Sequence, residues 1–264
     1  MQTVELHDTL RLCLHPKGGI VFTISGPQSE DIPADESNLV VKAIKLMSEA
    51  VGLDLDAHGV SVQLNKHIPS QAGLGGGSSD AANAMLAYCS LFRQTIDFGQ
   101  LRNIARQLGS DVPYFLSGKT ALVEGTGETC RQIRAIYPDY PVLIAKGNHG
   151  VSTREAYQAL DTVTDRQPGN STERFLNCDY AAFASWLHND FQDVVAKIEP
   201  DVQHTLSFFA QAPHAAAGSK PLLCGSGSSV FKIHTSMEAA ESDAKFLQSA
   251  GLSVFLTKIL NTTD

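Results

Sequence analysis

The chain has 264 residues, enough for one large domain or two moderate ones, and its 43% hydrophobic and 18% charged content excludes a disordered polymer. A net charge of −8, from 20 basic and 28 acidic residues, excludes non-specific nucleic-acid binding, which needs basic surface. No apolar run is long enough to span a membrane, and Met1-Gln-Thr-Val-Glu-Leu-His-Asp8 lacks the basic start of a signal peptide, so a cytoplasmic protein without membrane or nucleic-acid partners is expected.

The start reads as strands: Thr9-Leu-Arg-Leu-Cys-Leu14 alternates, and Gly19-Ile-Val-Phe-Thr-Ile24 follows a Pro-Lys-Gly-Gly turn. Val40, Ala43, Ile44 and Met47 fall on one helical face, with Asn38 placed to cap it and Gly52 to stop it. Val60, Val62 and Leu64 alternate with polar residues in a half-buried strand. It leads to Pro69-Ser-Gln-Ala-Gly-Leu-Gly-Gly-Gly-Ser-Ser-Asp-Ala-Ala82, after which a helix is expected from about Asp80 to Leu91. A further helix carries Leu101, Ile104, Ala105 and Leu108 and ends in a turn at Gly109-Ser-Asp-Val-Pro113. Residues 120–124 and 128–133 read as strands, as does Tyr140-Pro-Val-Leu-Ile-Ala145. Helices are expected at 153–160, 180–187 and 237–248, with a loop at 165–172, and Leu222–Phe231 reads as strand, glycine turn, strand. A strand at 253–260 closes the chain, and the mixture of strand and helix runs predicts an α+β fold.

The segment with chemistry in it is the glycine loop. Glycine lets the backbone approach a ligand closely, and a helix that follows aims unsatisfied N–H groups and partial positive charge at the loop. Residues Gly73, Leu74, Gly75, Gly76, Gly77, Ser78 and Ser79 therefore predict a phosphate site. The loop lacks the Gly-Lys-Ser/Thr ending of a P-loop and the third glycine of a dinucleotide fingerprint. The five cysteines are widely spaced, without a Cys-x-x-Cys pair, so reduced and mostly buried thiols are expected. The nine histidines show no His-x-x-x-His pair.

The Gly-Leu-Gly-Gly-Gly-Ser-Ser-Asp-Ala-Ala run closely resembles the GHMP kinase superfamily, and within it the 4-diphosphocytidyl-2-C-methyl-D-erythritol kinase branch. The likeness continues along the chain. Asp35-Glu-Ser-Asn38 resembles the segment whose Asn contacts adenine, and Lys66, ahead of Ile68-Pro69, matches a lysine near the nucleotide. Leu108-Gly-Ser-Asp111 resembles the segment of the catalytic aspartate. Gly150-Val-Ser-Thr-Arg-Glu-Ala-Tyr157 resembles a substrate-side segment in which Thr153 and Tyr157 border the cytidine pocket. Gly225-Ser-Gly-Ser-Ser229 resembles a glycine turn beside the phosphates.

That resemblance implies a two-lobed α+β GHMP kinase fold. The first lobe, residues 1–137, would hold the phosphate loop and Asp111; the second, residues 138–264, an antiparallel sheet with helices, with the site between the lobes. It implies ATP and Mg²⁺, a small-molecule substrate in 4-diphosphocytidyl-2-C-methyl-D-erythritol, and a monomer or homodimer. Asn38, Lys66, Pro69, Ala72, residues 73–79, Gly225, Ser226 and Gly227 would bind nucleotide; Asp111 would orient the substrate hydroxyl; Ser78 or Ser79 would hold the metal.

The chain also departs from the family. Relatives open with a Pro-Ala-Lys-x-Asn-like strand and a Gly-Tyr/Phe-His segment, whereas Met1 here aligns with an internal position. The residues as they stand are therefore expected to bind nucleotide better than they turn it over. Two alternatives stay open: another GHMP small-molecule kinase, or a catalytically impaired nucleotide-binding form.

Overall fold

A computed structural model describes residues 1–127, 129–133, 139–163 and 186–260. The expected loop at 165–172 and the helix at 180–187, apart from its last two residues, lie outside the described residues. Contacts divide the chain into two units. The first holds Met1, His7–Ser70 and Gly75–Gln132; the second holds Gln2–Leu6, Gln71–Leu74 and Ile133–Asp264.

In the first unit, β1 (Thr9–His15), β2 (Ile20–Ser25) and β3 (Gly59–Asn65) form a sheet in the order β1-β3-β2. β1 runs antiparallel to β3, pairing Thr9 with Asn65 and His15 with Gly59. β2 runs parallel to β3, so α1 (Leu39–Val51) is the crossover that a parallel pair requires. The alternation read from sequence has its cause here: Leu10, Leu12, Ile20 and Phe22 pack on the core while Thr9, Arg11 and Cys13 face solvent, and exposed Leu14 departs from it near the strand end. Asn38 caps α1 through Val40 N–H, and Gly52 ends it in the left-handed conformation at φ 67.

α2 (Gly76–Leu91) lays Ala81, Ala82, Ala84, Met85 and Tyr88 against α1 and the sheet. It begins four residues before the expected Asp80. Gly75 turns into the helix at φ 70, and Ser79 N–H already bonds the Gly75 carbonyl at 2.8 Å. Glycine's low helix propensity reads as loop, but packing of Ile68 and Phe115 against this turn overrides it. α3 (Phe98–Leu108) follows, and the expected turn at 109–113 leads into a short helix, α4 (Val112–Phe115). β4 (Ala121–Glu124) and β5 (Thr129–Gln132) make a hairpin.

The second unit is an antiparallel sheet in the order β7-β8-β6-β9, from β6 (Pro141–Lys146), β7 (Leu222–Leu223), β8 (Val230–Ile233) and β9 (Ser253–Lys258). β6 is central and buried along its whole length. Leu143 and Ala145 pack with Phe209, Leu223 and Leu247, while Val142 and Ile144 pack with Ile233 and Ile259 on the other face. α5 (Thr153–Asp161) opens with a capping box of Ser152 and Glu155. Two helices without a sequence assignment follow, α6 (Gln192–Ile198) and α7 (Pro200–Gln211), separated because Pro200 cannot continue a helix but suits the first position of the next. α8 (Met237–Ser249) precedes β9. The mixed α+β architecture is the expected one. Of the four described cysteines only Cys224 is buried, Cys89 and Cys130 are half-buried and Cys13 is exposed, so burial is less general than its frequency among thiols suggests. No helix among the described residues is long and apolar enough to cross a membrane.

A buried polar cluster ties β8 to α8. Asp243 Oδ2 meets His234 Nε2 at 2.9 Å and accepts from Lys232 Nζ at 3.3 Å, and Oδ1 accepts the His214 N–H at 2.9 Å, with all three side chains fully buried. Burial lowers the His234 pKa below 6.5. Burial pushes Asp243 up, but the hydrogen bonds from His234 and His214 and the charge of Lys232 outweigh it and hold the carboxyl below 3.8. Both groups bind protons more readily in the unfolded chain, so both lose stability as pH falls: His234 below 6.5, Asp243 as pH drops through its own lowered value. In the first unit Asp80 runs the other way, because burial raises its pKa above 3.8 and the folded form holds the proton longer. Acidification from neutral toward pH 4 should therefore loosen the second unit before the first. Amide hydrogen exchange read separately in β8–α8 and α2 checks this order; equal loosening would contradict it.

Candidate active site

The first unit leaves the start of α2 without a side-chain cap. Its N-cap is a glycine, and its first turn holds no acid. The N–H groups of Gly76, Gly77 and Ser78 thus precede the first intrahelical bond, with the positive end of the helix dipole behind them. Gly77 is exposed, and among the described residues neither the Ser78 nor the Ser79 hydroxyl takes a hydrogen bond.

Beneath this turn lies a buried ion triad. Lys66 Nζ reaches Asp8 Oδ2 at 2.5 Å and Asp80 Oδ2 at 2.8 Å, and the three side chains are 2–7% exposed. Asp8 Oδ1 also accepts the N–H groups of His67 and Ile68, at 2.6 and 2.9 Å. The triad links the end of β3 to α2, and Pro69 continues the buried path. Asp8 carries no motif signal, since its role depends on a partner 58 residues away. Asn38 keeps both amide atoms within the protein: Oδ1 takes Val40 N–H and Nδ2 donates to the Pro33 carbonyl at 2.8 Å.

Asp111 stands at the N-cap position of α4, exposed, but its side chain caps nothing. A turn aspartate of purely local purpose would bond a following N–H. Phe115, at the other end of α4, packs against Gly75, so the same short helix steadies the start of α2.

In the second unit, residues 71–73 of the glycine loop dock on the turn at 225–229. Ser228 and Ser229 N–H bond the carbonyls of Gln71 and Ala72 at 3.1 and 3.2 Å, and Ser229 Oγ also donates to Ala72 at 2.5 Å. Gly73 sits at φ 72, and a Cβ there would stand 1.9 Å from the Cys224 carbonyl oxygen. Sequence motifs about 150 residues apart are thereby joined into one backbone unit. Leu74 is half-buried against Val142 and Ile144. Gly73→Ala should cost roughly 2–4 kcal/mol through left-handed strain and overpacking. A fall in melting temperature together with weaker nucleotide binding is the expected result, and an unchanged thermal midpoint would contradict it.

Thr153 and Tyr157 lie one turn apart on α5. Thr153 Oγ1 is 3.2 Å from Ser226 Oγ, and Tyr157 is 54% exposed with Phe191 edge-on beneath it. The backbone at Leu223 and Gly225, leading into the turn, is held by Asn189, and Leu223 also by Gln192, neither of which the motifs single out; the visible signal was an Asn just before a helix, whose Oδ1 takes the Phe191 N–H. His149, Glu199 and Asp201 cluster at the start of α7, and helix capping accounts for the cluster: Glu199 accepts Asp201 N–H, and Asp201 accepts from His149.

Residues 38–119 match the GHMP kinases N terminal domain. A 4-diphosphocytidyl-2-C-methyl-D-erythritol kinase of Pelotomaculum thermopropionicum is 33% identical over 266 residues, covering 99% of this chain and 88% of the relative. The chain belongs to the 4-diphosphocytidyl-2-C-methyl-D-erythritol kinase family. A family member from Thermodesulfovibrio yellowstonii is 32% identical, with 98% of this chain and 88% of the relative covered. A crystal structure of a 4-(cytidine 5'-diphospho)-2C-methyl-D-erythritol kinase superposes with a TM-score of 0.77 at 28% identity, covering 97% of this chain and 87% of that one. The fold is shared more widely: L. major mevalonate kinase gives a TM-score of 0.75 at 14% identity, covering 100% and 89% of the two chains.

Proposed function

We propose that this protein transfers the γ-phosphoryl group of ATP to the 2-hydroxyl of 4-diphosphocytidyl-2-C-methyl-D-erythritol, a step of terpenoid biosynthesis. The observation that carries the chemistry is an uncapped, acid-free helix start in the same unit as an exposed Asp111 that caps nothing. Membership of the family carries the substrate. Phosphoryl transfer needs alignment and charge neutralisation more than covalent catalysis. The N–H groups of Gly76, Gly77 and Ser78 receive phosphate oxygens.

The unengaged hydroxyls of Ser78 and Ser79 fit Mg²⁺, which takes oxygen ligands and keeps several waters. Magnesium neutralises charge on the phosphates. Asp111 orients the substrate hydroxyl and accepts its proton late, as the oxygen bonds to phosphorus, because a carboxylate is a weak base for an alcohol. Thr153 and Tyr157 border the cytidine end, and Asn38 and Lys66 shape the adenine side through the segments they anchor. Polar, water-soluble substrates fit the cytoplasmic setting of this reading.

The test is turnover by the chain with ATP and the cytidine substrate, with ADP and the 2-phosphate product measured. Absence of that product alongside phosphorylation of homoserine or mevalonate would overturn the assignment in favour of another small-molecule kinase of the superfamily.

A further inference from the structure

Asn189-Asp-Phe-Gln192 grips both parts of the second unit's site. Asn189 Nδ2 donates to the carbonyls of Leu223 and Gly225, each at 2.8 Å, while Oδ1 accepts the Phe191 N–H at 2.9 Å. Gln192 Oε1 accepts the Leu223 N–H at 3.0 Å. The Asn189 amide thus uses both of its donor hydrogens on one short stretch of backbone. That stretch leads into Gly225 and Gly227, at φ 50 and 93, where glycine leaves the chain little rigidity of its own.

Phe191 acts on the other part. Its ring meets Tyr157 edge-on, with centroids 4.9 Å apart and planes at 80°. Tyr157 remains 54% exposed, so the contact buries little of the tyrosine and mainly fixes the direction in which its free face points. A flat aromatic face held in advance loses less freedom when a base stacks on it.

We propose that Asn189 and Phe191 are positioning residues for two different substrates: Asn189 holds the glycine turn for the nucleotide phosphates, and Phe191 holds Tyr157 as a platform for the cytosine ring. Two residues just ahead of α6, separated only by Asp190, would then set two affinities independently. The inference rests on the kinase function proposed above.

Two-substrate steady-state kinetics test it. Asn189→Ala should raise the KM for ATP by roughly tenfold or more, because misplacing a positioning element is costly, and leave the KM for the cytidine substrate within about twofold. Phe191→Leu should do the reverse, raising the KM for the cytidine substrate roughly three- to tenfold, the worth of one aromatic pair. Phe191→Tyr, which keeps the ring, should restore it. If either variant fails to fold, Asn189→Asp and Phe191→Met replace them. The first keeps the Oδ1 acceptor but turns a carboxylate oxygen on two carbonyls; the second keeps most of the volume without the ring. Both KM values moving together, or neither moving, overturns the positioning roles. A wild-type chain without turnover on the cytidine substrate overturns the kinase assignment itself, so the two failures are distinct.

Discussion

Gly77→Asp should leave the protein as stable as before or slightly more so, while its affinity for MgATP falls by about a hundredfold or more. The two effects have opposite signs because they act on the same charge. An aspartate in the first turn of a helix is favoured by the helix dipole, by about 0.3–1 kcal/mol, and α2 has no acid there. A Cβ at Gly77 would meet only Leu39 Cδ1, at 3.7 Å, which is ordinary contact. A phosphate at the same N–H groups would face the new carboxylate at about 5 Å, where like charges repel by about 3 kcal/mol at an effective dielectric of ~20. Gly76 is a poorer probe, since a Cβ there would stand 2.9 Å from Ile68 Cγ2 and 3.3 Å from Lys66 Nζ. Calorimetric titration with a non-hydrolysable ATP analogue, paired with a thermal melt, reads both effects. Unchanged affinity would remove the phosphate from this turn.

Asp111→Asn should lower kcat by about a hundredfold or more and leave the dissociation constant for nucleotide within about threefold. Asparagine keeps the shape and can still hydrogen-bond the substrate hydroxyl, but it cannot take the proton. The fold should tolerate the change, because the Asp111 side chain makes no capping bond and is exposed. Single-turnover measurement at saturating ATP separates the chemical step from binding. Near-normal turnover would make Asp111 a turn residue and move the proton acceptor elsewhere.

Local chemistry made much of this legible without coordinates. Val40, Ala43, Ile44 and Met47 recur at helical spacing, and all four are buried. Leu10 and Leu12 alternate with polar neighbours and pack inward. The glycine run before an alanine-rich helix predicts a phosphate site at a helix start; the helix begins at Gly76 and not at Asp80, with no side-chain cap and no acid in its first turn. Helix propensity judged glycine by backbone entropy alone and had no knowledge of Ile68 and Phe115 closing on the turn. α6 and α7 escaped notice for a related reason: α6 has only seven residues, and Pro200 breaks the run between the two.

Element types, the glycine loop and the α+β class follow from short-range rules, because capping, turn chemistry and hydrophobic period act over a few residues, whereas Asp111 is singled out by the resemblance of its segment to the family. The partners of those residues do not. Lys66 resembles a lysine near a nucleotide, but nothing in its segment announces that folding places it between Asp8 and Asp80, where removal from water makes each charge depend on the others. Residues 71–73 and 225–229 read as two separate glycine segments until backbone hydrogen bonds join them, and Asn189 gains its two acceptors only in the folded chain. Sequence spacing carries periodicity within an element; which distant donor meets which acceptor is decided by packing, and only the tertiary structure contains it.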